Sequence, residues 1–520
     1  MRTLKKAMYV LAALLMVACS KDEMPVKEVI KSSEKKIIKF YIVRNHTTIV
    51  NDVIGFVDED KKTIVATIPS TANIARLNPA IEISPKAAIL PAAGEKDFSV
   101  PVTYTVTAED GSKATYTVTI SQSNDAPDAF ELIEVENNAI DVLPTPKFVW
   151  HSSDDVNLDT VSYDLYVDSN EQPEILVAEN QLDTTYTLAS SQSLSLAKDY
   201  FWKVVAKDDR GGETSSEIFS FKVQKLNGAQ KVAAVNFSAI KRHVAVVADG
   251  SIGIFAGSVG DVATNSVSFS SNGGQNWLTP IHLNSSDVFT AREYHDAAFF
   301  DNRYFVVGGQ TENGFTENVA SSADGIEWFT QDLSIDDVFT PRARHTATVH
   351  NNKMWVIGGT TTGGNKLADV WSSEDGFHWN MITDAATFGK RDFHQTVSFQ
   401  GKLWVIGGID DTGNKNDIWS STDGTSWVME TANAAFSARG FHKCLVFDDK
   451  IWIVGGADDN GTVADIWYTE DGVEWIDATP ENAFPANSEF AAVFQNNQIL
   501  MLGGSIGGEI WSIDYHDFID

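Results

Sequence analysis

Lys402-Leu-Trp-Val-Ile-Gly-Gly408 is an apolar run closed by two glycines, and the chain repeats it. Arg303-Tyr-Phe-Val-Val, Lys353-Met-Trp-Val-Ile, Lys450-Ile-Trp-Ile-Val and Gln498-Ile-Leu-Met-Leu each lead into a Gly-Gly pair, and the pairs at 308, 358, 407, 455 and 503 lie 50, 49, 48 and 48 residues apart. Four consecutive apolar residues without alternation describe a strand buried on both faces. A period of this length makes each repeat one supersecondary unit, whose apolar faces are buried only by its neighbours. Ser251-Ile-Gly-Ile-Phe-Ala-Gly257 is a degenerate sixth copy that opens the array.

Each copy is flanked in the same order. An Arg-x-x-His precedes the first strand (Arg292 and His295, Arg342 and His345, Arg391 and His394, Arg439 and His442, with His243 alone in the first copy). A later strand carries Trp371, Trp419, Trp467 or Trp511, and a turn ending in another tryptophan closes the unit. This order resembles the kelch repeat, which implies four strands per blade and a six-bladed β-propeller over residues 226–520. The last repeat stops soon after Trp511 and lacks its fourth strand. In the three preceding repeats the fourth-strand tryptophan stands 15 residues before the His position (Trp379 to His394, Trp427 to His442, Trp475 to Phe490), and 15 before His243 is residue 228. Gln230-Lys-Val-Ala-Ala-Val235 is therefore expected to complete the last blade and cover its edge.

Towards the N-terminus the pattern changes to short alternating strands. Val102-Thr-Tyr-Thr-Val-Thr-Ala108 and Lys113-Ala-Thr-Tyr-Thr-Val-Thr-Ile120 flank an Asp-Gly turn and predict a hairpin with Tyr104, Val106, Ala108, Tyr116, Val118 and Ile120 on one face. Residues 36–124 resemble the immunoglobulin-like sandwiches at the N-termini of bacterial surface lipoproteins. In residues 125–225, Tyr200, Trp202, Val204 and Ala206 alternate inward, a turn follows at Asp208-Asp-Arg-Gly-Gly212, and Ile218-Phe-Ser-Phe-Lys-Val223 returns. That segment resembles a fibronectin type III domain, with Phe148-Val-Trp150 as an earlier core strand. The expected fold class is all-β: two β-sandwich domains, read as spacers, followed by a six-bladed kelch-type propeller.

Residues 1–18 read as a signal peptide, basic at Arg2, Lys5 and Lys6 and apolar from Ala7 to Ala18. Leu15-Met-Val-Ala-Cys19 resembles a bacterial lipobox, which implies lipidation (diacylglycerol and palmitate) at Cys19 and a tether over 19–35. Ser20-Lys-Asp-Glu23 resembles the export tag of surface lipoproteins, so the expected location is the outer membrane of a Gram-negative bacterium, facing outwards. Cys444 is the one other cysteine, so no disulfide is expected. Without the three basic residues of the signal, 36 basic side chains face 71 acidic ones, and such a surface repels nucleic acid.

Few residues carry chemistry. The turn Ser373-Glu-Asp-Gly-Phe-His-Trp379 and its copies resemble the Asp-box of sialidases with one residue removed, a hairpin-stabilising device. Asp410-Asp411 and Asp458-Asp-Asn-Gly461 read as hairpin tips before they read as calcium loops. In kelch propellers the Arg-x-x-His position starts the innermost strand, beside the channel mouth. Arg292, Arg342, Arg391 and Arg439 are thus expected to converge on an anion site, although recurrence also suits a structural role. The residue before each His varies on this fixed frame: Arg242, Tyr294, Arg344, Phe393, Phe441 and Glu489. Variation there is where a ligand is specified.

The candidate ligand-binding residues are therefore Arg292, Tyr294, Arg342, Arg344, Arg391, Phe393, Arg439, Phe441 and Glu489. No catalytic residue, metal ligand or cofactor is expected. The reading is a monomeric surface protein that captures a glycan or another acidic ligand, a small molecule or peptide, at the propeller mouth. Two alternatives stand beside it: a protein-binding adhesin, and an enzyme of the kind the resemblance allows, a sialic-acid mutarotase using Arg439 and Glu489.

Overall fold

The structure, a computed structural model, describes residues 30–515 other than 235, 280–287 and 332–337. Cys19, the signal peptide and most of the tether lie outside the described residues. The fold is all-β, and among the described residues no helix is long and apolar enough to cross a membrane.

The chain divides into two compact units. The first comprises the described residues up to Asp128 with Asp154–Val161 and Lys207–Glu213. Its seven strands run in the order Pro79–Ile83, Ile37–Ile42, Val53–Asp58, Thr63–Ile68, Lys113–Gln122, Val102–Thr107 and Ala88–Leu90. The predicted hairpin forms in register, Tyr104 opposite Tyr116 and Val102 opposite Val118. Its six inward side chains are all buried, and five of them, all but Ala108, share a core cluster with Phe40, Ile42 and Ile64. Alternation with threonine decides this register, because a slip of one residue would expose the whole apolar set.

The second unit joins the rest of the second sandwich to the propeller. In the sandwich, Lys147–Trp150 lies between Leu132–Glu134 and Thr185–Thr187. The facing sheet is built around Ser162–Asp168 and Asp199–Lys207. Trp202 packs on Phe148 with ring centres 4.8 Å apart, and both are fully buried. The Tyr468 hydroxyl donates to Leu196 O at 2.6 Å and Lys225 pairs with Asp477 at 2.8 Å, so sandwich and propeller share a bonded contact.

Among the described residues six blade sheets make the propeller, with a separate two-stranded hairpin of Gln310–Thr311 and Gly314–Phe315. Their innermost strands are Val244–Ala248, Asp296–Phe300, Thr346–His350, Gln395–Phe399, Lys443–Phe447 and Ala491–Gln495, and each contacts the two beside it in a closed ring. The last blade is completed by Gln230–Val232, which pairs antiparallel with Ile510–Ser512, in the place the repeat spacing predicts. Among the described residues the first blade has three strands, and a single bridge from Phe269 to Leu278 lies beyond the third.

The Gly-Gly pairs end the second strands because the next blade comes too close for a side chain. A Cβ on Gly358, at φ +59°, would lie 2.9 Å from His394 Cε1 and 3.0 Å from Arg391 O of the next blade, and one on Gly359, at φ +93°, would lie 2.7 Å from His345 Cβ of its own blade. In the degenerate copy Ala256 accepts the first of the two places at φ +51°.

The Asp-box-like turns fasten each blade to the one before it. Asp375 Oδ1 accepts the Phe377 and His378 amides at 2.8 and 2.9 Å, and Ser373 Oγ accepts the Gly376 amide at 2.8 Å. Gly376 presses against Phe305, and Gly424 and Gly472 press against Trp355 and Trp404, second-strand residues of the preceding blades. The tryptophans closing these turns are buried, so the motif serves the fold here. Asp410 and Asp458 stand at hairpin tips, where they accept the amides of Thr412 and Asn460, both at 2.7 Å.

Candidate functional site

The four recurring arginines do not reach the mouth. Arg292, Arg342 and Arg439 are 0% exposed and Arg391 is 2% exposed. Each lies inside its blade, where Nη1 donates to the carbonyl of the first Gly-Gly residue, as from Arg342 to Gly358 O at 2.9 Å and from Arg391 to Gly407 O at 2.9 Å. Three of them also grip a carboxylate with two nitrogens. Arg342 binds Asp369 at 2.7 and 2.6 Å, Arg391 binds Asp417 at 2.8 and 2.9 Å, and Arg439 binds Asp465 through Nη1 and, at 2.7 Å, Nη2.

The same aspartates accept the indole N–H of Trp371, Trp419 and Trp467 at 2.7 to 2.8 Å. A buried Arg–Asp–Trp cluster therefore recurs in three blades. Among the described residues Arg292 has no aspartate: Nη1 donates to Gly308 O at 2.8 Å and Asn318 O at 3.2 Å, and burial lowers its pKa to about 10. Four converging guanidiniums are thus corrected to four internal braces. Arg439 is paired with Asp465, and Glu489 with Arg242 and Tyr294, so the two residues named for a mutarotase have other partners.

The histidines are internal too. His295 Nε2 lies 3.1 Å from Phe255 O in the preceding blade, and His243, His345, His394 and His442 face the matching carbonyls of Leu502, Val307, Ile357 and Ile406. Burial holds His243, His295, His394 and His442 near pKa 3 and His345 well below its ordinary value, so all five imidazoles are neutral.

The residues preceding them do come together. Arg242, Tyr294, Arg344, Phe393, Phe441 and Glu489 all have positive φ, between 53° and 59°. Their backbones are chained around the channel: Arg242 N donates to Glu489 O at 2.7 Å, Tyr294 N to Arg242 O at 3.2 Å, and Arg344 N to Tyr294 O at 2.8 Å. Phe393 N then donates to Arg344 O at 3.1 Å, and Phe441 N to Phe393 O at 3.2 Å. Left-handed backbone costs a non-glycine residue about 1 kcal/mol, and such strain collects where surrounding structure enforces it for function.

The side chains of this ring engage one another. Phe393 and Phe441 stack at 3.7 Å, and the Arg344 guanidinium lies between Tyr294 and Phe393, 5.0 and 4.7 Å from their ring centres. Glu489 Oε1 accepts Arg242 Nε at 2.8 Å and the Tyr294 hydroxyl at 2.7 Å, and Arg242 Nη1 reaches Glu293 at 3.0 Å. Burial and the Glu489 carboxylate push the Tyr294 hydroxyl pKa up. Arg242 and Glu293 therefore belong to the mouth, although they were not among the nine expected residues. Arg242 was legible from its place before His243.

The ring plugs the channel, leaving a cavity of about 70 Å³ that it lines together with the part-buried Asp296 and Lys443. Ligand pockets hold roughly 300 Å³ or more, so a sugar can rest on the ring and not inside it. A larger cavity, about 320 Å³, opens within the second unit between the sandwich and the last two blades, lined by Ser190, Ser193, Ser195, Asp448, Lys450 and Tyr515 among others.

Two protein-family models match parts of the chain. Residues 44–120 match the model described as SGBP, N-terminal, the N-terminal domain of surface glycan-binding proteins. Residues 322–504 match the KLHDC2/KLHL20/DRC7 Kelch-repeats domain. No curated protein matches the chain.

Proposed function

We propose that the chain is a lipid-anchored surface glycan-binding protein, held in the outer membrane through Cys19, whose propeller mouth receives a carbohydrate. The observation that carries this reading is the match of residues 44–120 to the N-terminal domain of surface glycan-binding proteins. The mouth supplies suitable chemistry. Aromatic faces at Tyr294, Phe393 and Phe441 stack on the apolar face of a sugar, while Arg344, Arg242 and Glu489 bond its hydroxyl and charged groups. In this reading the ligand lies across the plugged end, and the sandwich domains act as spacers.

A glycan array probed with the full chain, followed by calorimetry on the best ligand, tests this. Phe393→Ala with Phe441→Ala is expected to weaken binding at least about tenfold, the effect of losing roughly 1.4 kcal/mol. Unchanged affinity in that variant refutes the mouth as the site. If Ser193→Trp in the junction cavity abolishes binding instead, the sugar binds there. Cys19→Ala is expected to release the protein from the membrane fraction, and its retention there refutes the anchor.

The kelch match favours a second reading, in which the same mouth binds an acidic peptide. Saturable peptide binding without any glycan signal would support it.

A further inference from the structure

Outside the propeller, two loops of the first unit bring carboxylates onto the segment that ends at Asp128. Asp155 and Asp159 belong to Asp154–Val161, and Asp208 to Lys207–Glu213. One carboxylate oxygen from each lies within 4.8 Å of the others. Asp155 and Asp208 are both 8% exposed, so these acids repel one another largely out of water.

The hydrogen bonds around them leave gaps of one kind. Asp155 Oδ1 accepts the amides of Asn157 at 2.7 Å and Asp159 at 3.3 Å, but Asp155 Oδ2 is buried without any donor. Asn124 donates through Nδ2 to Asp208 Oδ2 at 2.7 Å, and its Oδ1 is likewise buried without a partner. Both orphans are acceptors. A buried acceptor with no donor calls for a bound water or an ion, and two of them beside three carboxylates call for positive charge. The Arg210 guanidinium supplies part of it, binding Asp159 Oδ2 through Nε at 2.7 Å and through Nη2.

We propose that Asp155, Asp159, Asp208 and the Asn124 carbonyl form a calcium site. Every donor is a hard oxygen, with no imidazole or thiolate, which selects calcium or magnesium over the transition metals. Oxygens sharing one calcium at about 2.3 to 2.6 Å lie within about 5 Å of each other, a limit the three carboxylates meet. The close fit agrees with this, since a Cβ on Gly212 would stand 2.3 Å from Asp208 Oδ2 and 2.9 Å from Asn124 Nδ2. In the calcium form Arg210 gives up part of its hold on Asp159.

Titration of the chelator-treated full chain with calcium chloride and with magnesium chloride, by calorimetry and thermal unfolding, tests the site. Saturable calcium binding with Kd between about 10⁻⁵ and 10⁻³ M is expected, with an unfolding transition raised by a few degrees. Asp155→Asn with Asp159→Asn should remove both effects. Should that variant not fold, Arg210→Gln decides, because removing the competing cation at a half-exposed position should tighten calcium binding severalfold. No saturable binding below about 10 mM, equal shifts with magnesium, unaltered binding in the double variant, or unchanged or weaker binding in Arg210→Gln would each overturn the proposal.

Discussion

At the scale of the residue, the recurring arginine shows how repetition and burial decide a role. Arg391 is enclosed with Asp417, and the same carboxylate holds the Trp419 indole. Burial alone would raise the Asp417 carboxyl, but Arg391 and the indole bring it net below its ordinary value. Arg391→Ala would leave that carboxylate buried and unpaired, a loss of about 3 to 5 kcal/mol. Arg344→Ala, at the half-exposed mouth, should cost far less. Denaturant unfolding of the two variants checks this, and equal losses would mean that the buried pair is not a brace. Because the Asp417 carboxyl is depressed in the fold, its contribution is complete above the unfolded value near 4 and is lost as pH falls through the folded value. The structural role was half legible: Asp369-Val-Trp371, Asp417-Ile-Trp419 and Asp465-Ile-Trp467 recur in step with the arginines. Sequence spacing places an Arg near the start of an inner strand, but does not say whether its side chain turns to the channel or back into the blade.

At the scale of the element, strands and closure were legible because their causes are local. Alternation fixes which face of Val102–Thr107 is buried, and the period fixes where the closing strand must start. The mouth was legible only as a list of six positions, since mutual stacking and the bonds between blades arise from ring closure. The closing strand Gln230–Val232 is short, yet it covers Ile510–Ser512, and Val232 packs with Ile240, Ile252 and Trp277 of the first blade. Deleting residues 230–232 would bare a strand edge and open the ring at one joint. A lower melting temperature and concentration-dependent association on gel filtration are expected. A deletion variant that stays monomeric with unchanged melting would show that the other inter-blade contacts suffice.

At the scale of the whole molecule, five buried neutral histidines make the propeller sensitive to mild acid. Burial, reinforced for several by neighbouring guanidiniums, holds four near pKa 3 and His345 well below its ordinary value, against about 6.5 unfolded. Their folded values are depressed, so their contribution is complete above about pH 6.5 and drains as pH falls, at up to roughly 1.4 kcal/mol per pH unit for each ring. Asp296 opposes this, since burial lifts it to about 6 and its contribution is lost as pH rises through that value. Burial raises the Asp392 carboxyl as well, and two carboxyls against five imidazoles leave acid destabilising. The repeat itself supplies a control: in the last blade Phe490 stands in the histidine's place and packs 3.1 Å from where a Gly455 side chain would begin. His394→Phe should therefore fold and flatten the pH dependence by about one ring's share. Melting temperatures between about pH 6.5 and 5, above the range where most carboxylates titrate, measure it. A flat profile in the parent protein, or one equally steep in the variant, would show that the histidines do not set the response.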